Sequence, residues 1–464
     1  MLNIPRIDNT NSVFYNKISK QNNDISKNNA VSIPKDLKFA NSENLQAYHP
    51  SFTAKKIKNT EAQQQLPSVQ EQLKTISSKL DKESQAALLR LNEKGILSDN
   101  NSNDGSSVLE NLYRIATEPR IIGLSDSQIL AEVIKALENP YSITQKFGDI
   151  PKNVAEEISQ ETGTEFPQQA YNVVSSSCVV ASMEFNLASR KPAEFARFAQ
   201  GLSGQNYCVE KNIKMSDISE GTAEALWKLR EFNTDNKIAQ NWDDITIKIQ
   251  PDRNAIVRAR VQTSYKDANE RSCVDVLIQS ALLNLGSQNS YDALTDERTG
   301  KFNPDKSGLT DFEKNFVEQV VFETPKISVV YQNLDENGYL VGYNCQPEET
   351  KQHILKSLEL GQNVIIGYTH LDAEKRVDGG HEITIVGYEE DKNGNGFFIC
   401  NDTDDNVDNA IKISEEKLMP LIHHAGISKE ALSQDDIVVE SWREIITEFQ
   451  EIIAQERQGS QSIE

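Results

Sequence analysis

The chain has 464 residues, more than one ordinary hydrophobic core accommodates, and at roughly 150 residues per domain it predicts about three units. Apolar residues make up 37% against a usual ~45–50%, so some stretch is too polar to fold. A net charge of −22 creates a field that repels phosphate backbones and anionic lipid, which argues against nucleic-acid binding and membrane docking.

The first stretch, residues 1–68, holds nine Lys/Arg against five Asp/Glu, and its net +4 leaves −26 on the rest. Ten Asn lie within Met1–Pro50 among Ser and Lys, a composition that cannot offset the ordering entropy of the backbone and predicts a disordered tail. No apolar run approaches ~18 residues, so no membrane span is expected, and MLNIPRIDNTNS lacks the charged-then-apolar pattern of a signal peptide. Five cysteines, Cys178, Cys208, Cys273, Cys345 and Cys400, are odd in number, scattered and without a CxxC pair. They predict free thiols, with no disulfide framework and no zinc site. The expected location is the cytoplasm, or outside the cell after export without a hydrophobic signal. Oligomeric state has no signature in the sequence.

From about Pro67 the pattern turns helical. Leu73, Ile76 and Leu80 recur at +3 and +7, and Ile129, Val133, Ile134 and Leu137 form a second stripe behind the capping residues Ser125 and Asp126. Residues 69–160 are expected to form a helical layer, positioned to act as a propeptide or lid. SSSCVVASMEFNLASR (175–190) opens the next unit as a helix whose serines are placed to cap it, and helices are expected through Leu229. Alternation in Ile245, Ile247, Ile249 and in Val257, Ala259, Val261 predicts a hairpin around Pro251–Asn254, followed by a helix over 274–285. The last third alternates strands (327–331, 339–343, 364–368, 382–388, 397–400) with a helix over 348–360, and helices close the chain near 415–421 and 442–454. Helices first and a mostly antiparallel sheet later make an α+β chain.

The first constellation for chemistry joins Cys178 to His381. A cysteine at a helix start meets unpaired amides and the positive end of the helix dipole, which favour the nucleophilic thiolate. His381 lies in GGHEITIVGYE (379–389), the first side chain of an apolar strand after two glycines. After the turn DKNGNG the chain returns as FFICND (397–402), which brings Asn401 or Asp402 beside the histidine to fix its ring. Nucleophile, base and orienter form a set for covalent catalysis.

The run from Ser175 to Leu187 resembles the nucleophile helix of papain-like cysteine peptidases. GGHEITIVGYE with FFICND resembles their histidine hairpin, above all that of bacterial double-glycine peptidases, and LELGQNVIIGYTH (358–370) is similar to the helix and strand that precede it. The resemblance covers two segments of about 15 and 25 residues. It implies a papain-like α+β fold, with a helical half carrying the cysteine, an antiparallel sheet carrying the histidine, and an extra N-terminal helical layer. Residues 161–464 would be the catalytic domain. Roughly 200 residues separate Cys178 from His381, more than the family usually has, so an insertion is expected around 244–310. The family's oxyanion-binding amide, six residues before the cysteine, falls on Asn172 in place of the usual Gln, and Val179 stands where relatives often carry Gly or Trp. The papain form matches Asn401 as orienter and the double-glycine form matches Asp402, which is favoured.

The implied activity is a cysteine-dependent hydrolase cleaving peptide or isopeptide bonds in a protein or peptide substrate, with no cofactor and no metal. The alternatives are a transamidase or deamidase, an exported effector, or an inactive papain-like module that binds a partner protein. Cys273, in ERSCVDVLIQSALL, also begins a helix and is the rival nucleophile. DKNGNG and the acidic run after it have part of a calcium-loop spacing, but flanking strands favour a hairpin turn. His423 and His424 are expected side by side on a helix, pointing apart.

Overall fold

The computed structural model describes residues 66–146, 150–171, 175–214, 218–219, 245–264, 270–287, 289–299, 307–405 and 408–433. The expected disordered tail up to residue 65, the helices expected between 220 and 229, and the helix expected at 442–454 lie outside the described residues.

Among the described residues the chain begins with α1 (Val69–Ser77), α2 (Lys82–Glu93), α3 (Val108–Thr117), α4 (Asp126–Glu138), α5 (Lys152–Thr162), α6 (Cys178–Arg190), α7 (Pro192–Ser203) and, after strands β1 (Val209–Ile213) and β2 (Ile245–Ile249), α8 (Arg253–Ser264). Then come α9 (Cys273–Gly286), the short strands β3 (Tyr291–Asp292) and β4 (Glu297–Arg298), and α10 (Asp311–Phe322). The remainder is β5 (Lys326–Val330), β6 (Gln332–Leu334), β7 (Leu340–Tyr343), α11 (Pro347–Glu359), β8 (Val364–Leu371), β9 (Val377–Glu390), β10 (Gly396–Asn401), β11 (Ile411–Ser414), α12 (Glu415–Leu418) and β12 (Ile422–Ser428). This is a mixed α+β chain. No described helix is long and apolar enough to cross a membrane.

Local chemistry explains where the helices start. Ser68 with Glu71, Ser107 with Glu110 and Thr310 with Glu313 form reciprocal capping boxes, and the Ser125 hydroxyl accepts from the Gln128 amide at 3.4 Å. Ile129, Val133, Ile134 and Leu137 of α4 are all buried, as their spacing requires.

β11, β10, β9, β8, β12 and β5 form one antiparallel sheet in that order. Neighbours Ile365 and Ile366 on β8 belong to different hydrophobic clusters, as the two-residue period of a strand demands, so the sheet divides two cores. One core lies between the sheet and α11 and includes Ile354, Ile366, Ile383, Ile385 and Phe398. The other runs without a break from Ile76 through Leu112, Ile134, Val180, Phe195, Leu282 and Val317 to Ile365. Helices α1–α4 therefore share one core with α6, α7 and α9.

One expectation about the middle of the chain is corrected. β2 pairs with β1, Ile249 opposite Val209, and residues 253–264 are helix, so no hairpin joins 245–249 to 257–261. Ala and Arg favour helix, and the Asp252 carboxylate accepts from the Asn254 amide at 2.9 Å to start it. The stretch 244–310 also carries α9, which is buried along its whole length and contributes Val276, Ile278, Leu282 and Leu285 among others to the main core.

Candidate active site

Cys178 is the first residue of α6 and is half-buried. The three preceding serines do not cap the helix: Ser177, at the cap position, makes no capping bond. Each instead grips a neighbouring element. The Ser175 hydroxyl accepts from the Arg271 guanidinium, and Asp296 accepts from both the Ser176 amide (2.7 Å) and the Ser176 hydroxyl (3.0 Å). The Ser177 hydroxyl donates to Gln279 Oε1 at 3.0 Å. The first turn of α6 thus has no capping bond from the serine that precedes it, and first-turn amides are the groups a helix leaves unpaired within itself.

His381 sits on β9 opposite Tyr368 of β8, and the two rings meet edge to face at 5.7 Å. Of the two preceding glycines, Gly379 adopts φ +153°, a conformation side-chain-bearing residues avoid; a Cβ at Gly380 would stand 3.4 Å from the Tyr368 carbonyl, an ordinary contact. The ring Nε2–H of His381 donates to Asp402 Oδ1 at 2.8 Å. The Cys178 thiol is among the groups that raise the pKa of the same ring, and because Nε2 is committed to Asp402, Nδ1 is the nitrogen left for sulfur.

The electrostatics follow from this geometry. Burial alone lowers the His381 pKa, but its bonds to Asp402 and to Cys178 outweigh burial and hold it well above the ordinary histidine value. Burial would raise the Asp402 carboxyl, yet the bond to His381 keeps it below the usual carboxylate range. Asp404 is raised by burial, and Lys146 faces both aspartates.

Asp402, and not Asn401, is the residue on the ring. Asn401 pairs through its backbone with Thr384 and is buried, with its Nδ2 lacking a hydrogen-bond partner among the described residues. The register shift between Ile399 and Cys400 passes over Val386 of β9, while β10 keeps its alternation, with Phe398 and Cys400 in the same core. Asn172, the expected oxyanion amide, lies outside the described residues. Gln168 and Gln169 upstream are exposed.

Cys273 is excluded as the nucleophile: it is 1% exposed, and burial pushes its thiol well up. Cys400 is buried, and burial with nearby Asp402 pushes its thiol to about 12. DKNGNG is the turn between β9 and β10, where Asp391 accepts from the amides of Asn393 and Asn395. His423 and His424 are on β12, not on a helix. A bulge between Ile422 and His424 brings their rings together, with Nδ1 atoms 2.9 Å apart. His424 Nε2 also meets Glu382 at 2.8 Å and Asp311 at 3.1 Å, while Lys314 donates to Glu382 at 2.8 Å, so these buried groups form one network between α10 and the sheet. Sequence reasoning also missed Tyr368 and His370 as neighbours of His381; their alternation in GYTH, opposite GGH, was the available signal.

Comparison with protein-family models, with curated proteins and with solved structures yields no match to this chain.

Proposed function

We propose that this protein is a papain-like cysteine hydrolase that cleaves peptide or isopeptide bonds of a protein or peptide substrate. The observation that carries the reading is the meeting of three groups from distant parts of the chain: the helix-tip thiol of Cys178, the His381 ring, and the Asp402 carboxylate at 2.8 Å from it. His381 takes the Cys178 proton, and the sulfur attacks the acyl carbon. The resulting oxyanion is met by the Cys178 amide, with Asn172 as the second donor implied by the family resemblance. The imidazolium gives its proton to the leaving amine as the C–N bond breaks, which leaves a thioester. Water then attacks the thioester, with His381 taking the water proton and returning it to the departing sulfur. Asp402 holds the ring in the tautomer that keeps Nδ1 toward sulfur.

Alkylation tests this reading. At about pH 6.5 an unperturbed thiol is almost wholly protonated, so iodoacetamide should modify Cys178 at least about 10-fold faster than the half-buried Cys208. Digestion and mass spectrometry would assign each site. Equal rates at the two thiols would overturn the ion pair and favour a papain-like module that binds without turnover.

A further inference from the structure

Two of the three proposed catalytic groups adjoin irregular backbone. Cys178 follows the serine run 175–177, and Asp402 begins the turn that leaves β10. A single buried residue from a third segment, Gln145, touches both. Its backbone amide donates to the Thr403 carbonyl at 3.0 Å, and its side-chain Oε1 accepts from the Thr403 hydroxyl at 3.0 Å. Its Nε2 donates to the Ser175 carbonyl at 3.4 Å, and its own carbonyl accepts from Arg271 Nε at 2.9 Å. Arg271 in turn reaches the Ser175 hydroxyl. Gln145 thus spends every polar group it has on the residue after Asp402, on the residue three before Cys178, or on the arginine that grips the latter. It is 4% exposed, so water does not compete for these bonds.

We infer that Gln145 is a positioning residue that fixes Asp402 and Cys178 relative to each other, and so sets the geometry in which His381 can bond both. The inference rests on the thiol-hydrolase reading. Gln145 follows α4 within the N-terminal helical segment, whose helices α1–α4 share the core of α6. That segment is accordingly part of the catalytic frame and not a removable propeptide or lid. Removing the Gln145 bonds leaves the Thr403 hydroxyl and Ser175 carbonyl without these buried partners and lets the two loops relax independently. A displacement of about 1 Å at a reacting group costs on the order of 100-fold in rate.

The test measures the pH profile of Cys178 alkylation in the full chain, which a purely structural loss would leave in place. Gln145→Met keeps the volume of the side chain and removes its hydrogen bonds; Thr403→Val removes one bond from the other side. Both should lower the alkylation rate of Cys178 near pH 6.5 by about 10- to 100-fold and move its profile toward that of a free thiol. Thr403→Ser, which keeps the hydroxyl, should retain the wild-type profile. A wild-type profile in Thr403→Val, or in a folded Gln145→Met, overturns the inference; should Gln145→Met fail to fold, Thr403→Val decides it. If Cys178 of the unmutated protein reacts no faster than Cys208, the hydrolase reading itself falls, and that result is seen before any variant is made.

Discussion

His381 donates from Nε2 to Asp402 at 2.8 Å, and this bond decides which ring nitrogen is left to meet Cys178. It makes the two neighbouring candidates on β10 unequal. Asp402→Asn removes the negative charge that raises the His381 pKa, so the imidazolium should be lost at lower pH and fast alkylation of Cys178 confined to more acidic solution. Asn401→Ala should leave that profile in place. A profile that responds to Asn401 and ignores Asp402 would reverse the assignment.

The raised pKa of His381 is also a statement about stability. Its folded value lies above the unfolded value of about 6.5, so the stabilisation from the imidazolium is fully present below that pH and is lost as pH rises through the folded value. Thermal melts of the wild type and His381→Gln should therefore differ most in mildly acidic buffer and converge on the alkaline side. A gap of constant size across that range would count against a charged ring.

Gly367 faces the His424 ring across the β8–β12 pair, and a Cβ there would come within 2.1 Å of His424 Cε1. The ring has little room to retreat, because Glu382, Asp311 and His423 all hold it. Gly367→Ala should destabilise by on the order of 1–3 kcal/mol in urea unfolding. Gly342→Ala, where no atom lies within 4 Å of the added Cβ, serves as the control and should change stability by less than about 0.5 kcal/mol.

Arg298 and Glu313 form a buried pair, with Arg298 Nη2 donating to Glu313 Oε1 at 2.6 Å, and Glu313 also caps α10 by accepting from the Thr310 amide. Glu313→Leu leaves a guanidinium buried without its counter-charge and should cost about 3–5 kcal/mol. The double variant Arg298→Met/Glu313→Leu should recover much of that loss. A double variant no more stable than the single one would show that capping, and not the uncompensated charge, dominates.

Much of this architecture could be read from residue patterns. The α4 stripe, the helix opening at Cys178 and the strand–turn–strand around DKNGNG each depend on local periodicity and capping, which are written over a dozen residues at most. The misreadings share a cause. Val257, Ala259 and Val261 fit a strand by alternation, but the helix preference of the intervening residues and the Asp252 cap prevailed. His423 and His424 were expected to diverge because the bulge in β12 leaves no mark in a single sequence, and Asn401 competed with Asp402 because the pairing of β10 with β9 that decides between them is a long-range property.

The sequence alone determined that a thiol opens a helix, that a histidine heads an apolar strand, and that an acidic or amide side chain follows on the next strand, since each is a property of neighbours along the chain. Only tertiary structure decided that Asp402 and not Asn401 reaches the ring, that Cys273 is sealed away, and that Gln145 ties two distant loops together. Those outcomes depend on strand register and on burial among residues far apart in the chain, and neither is encoded by any short stretch of it.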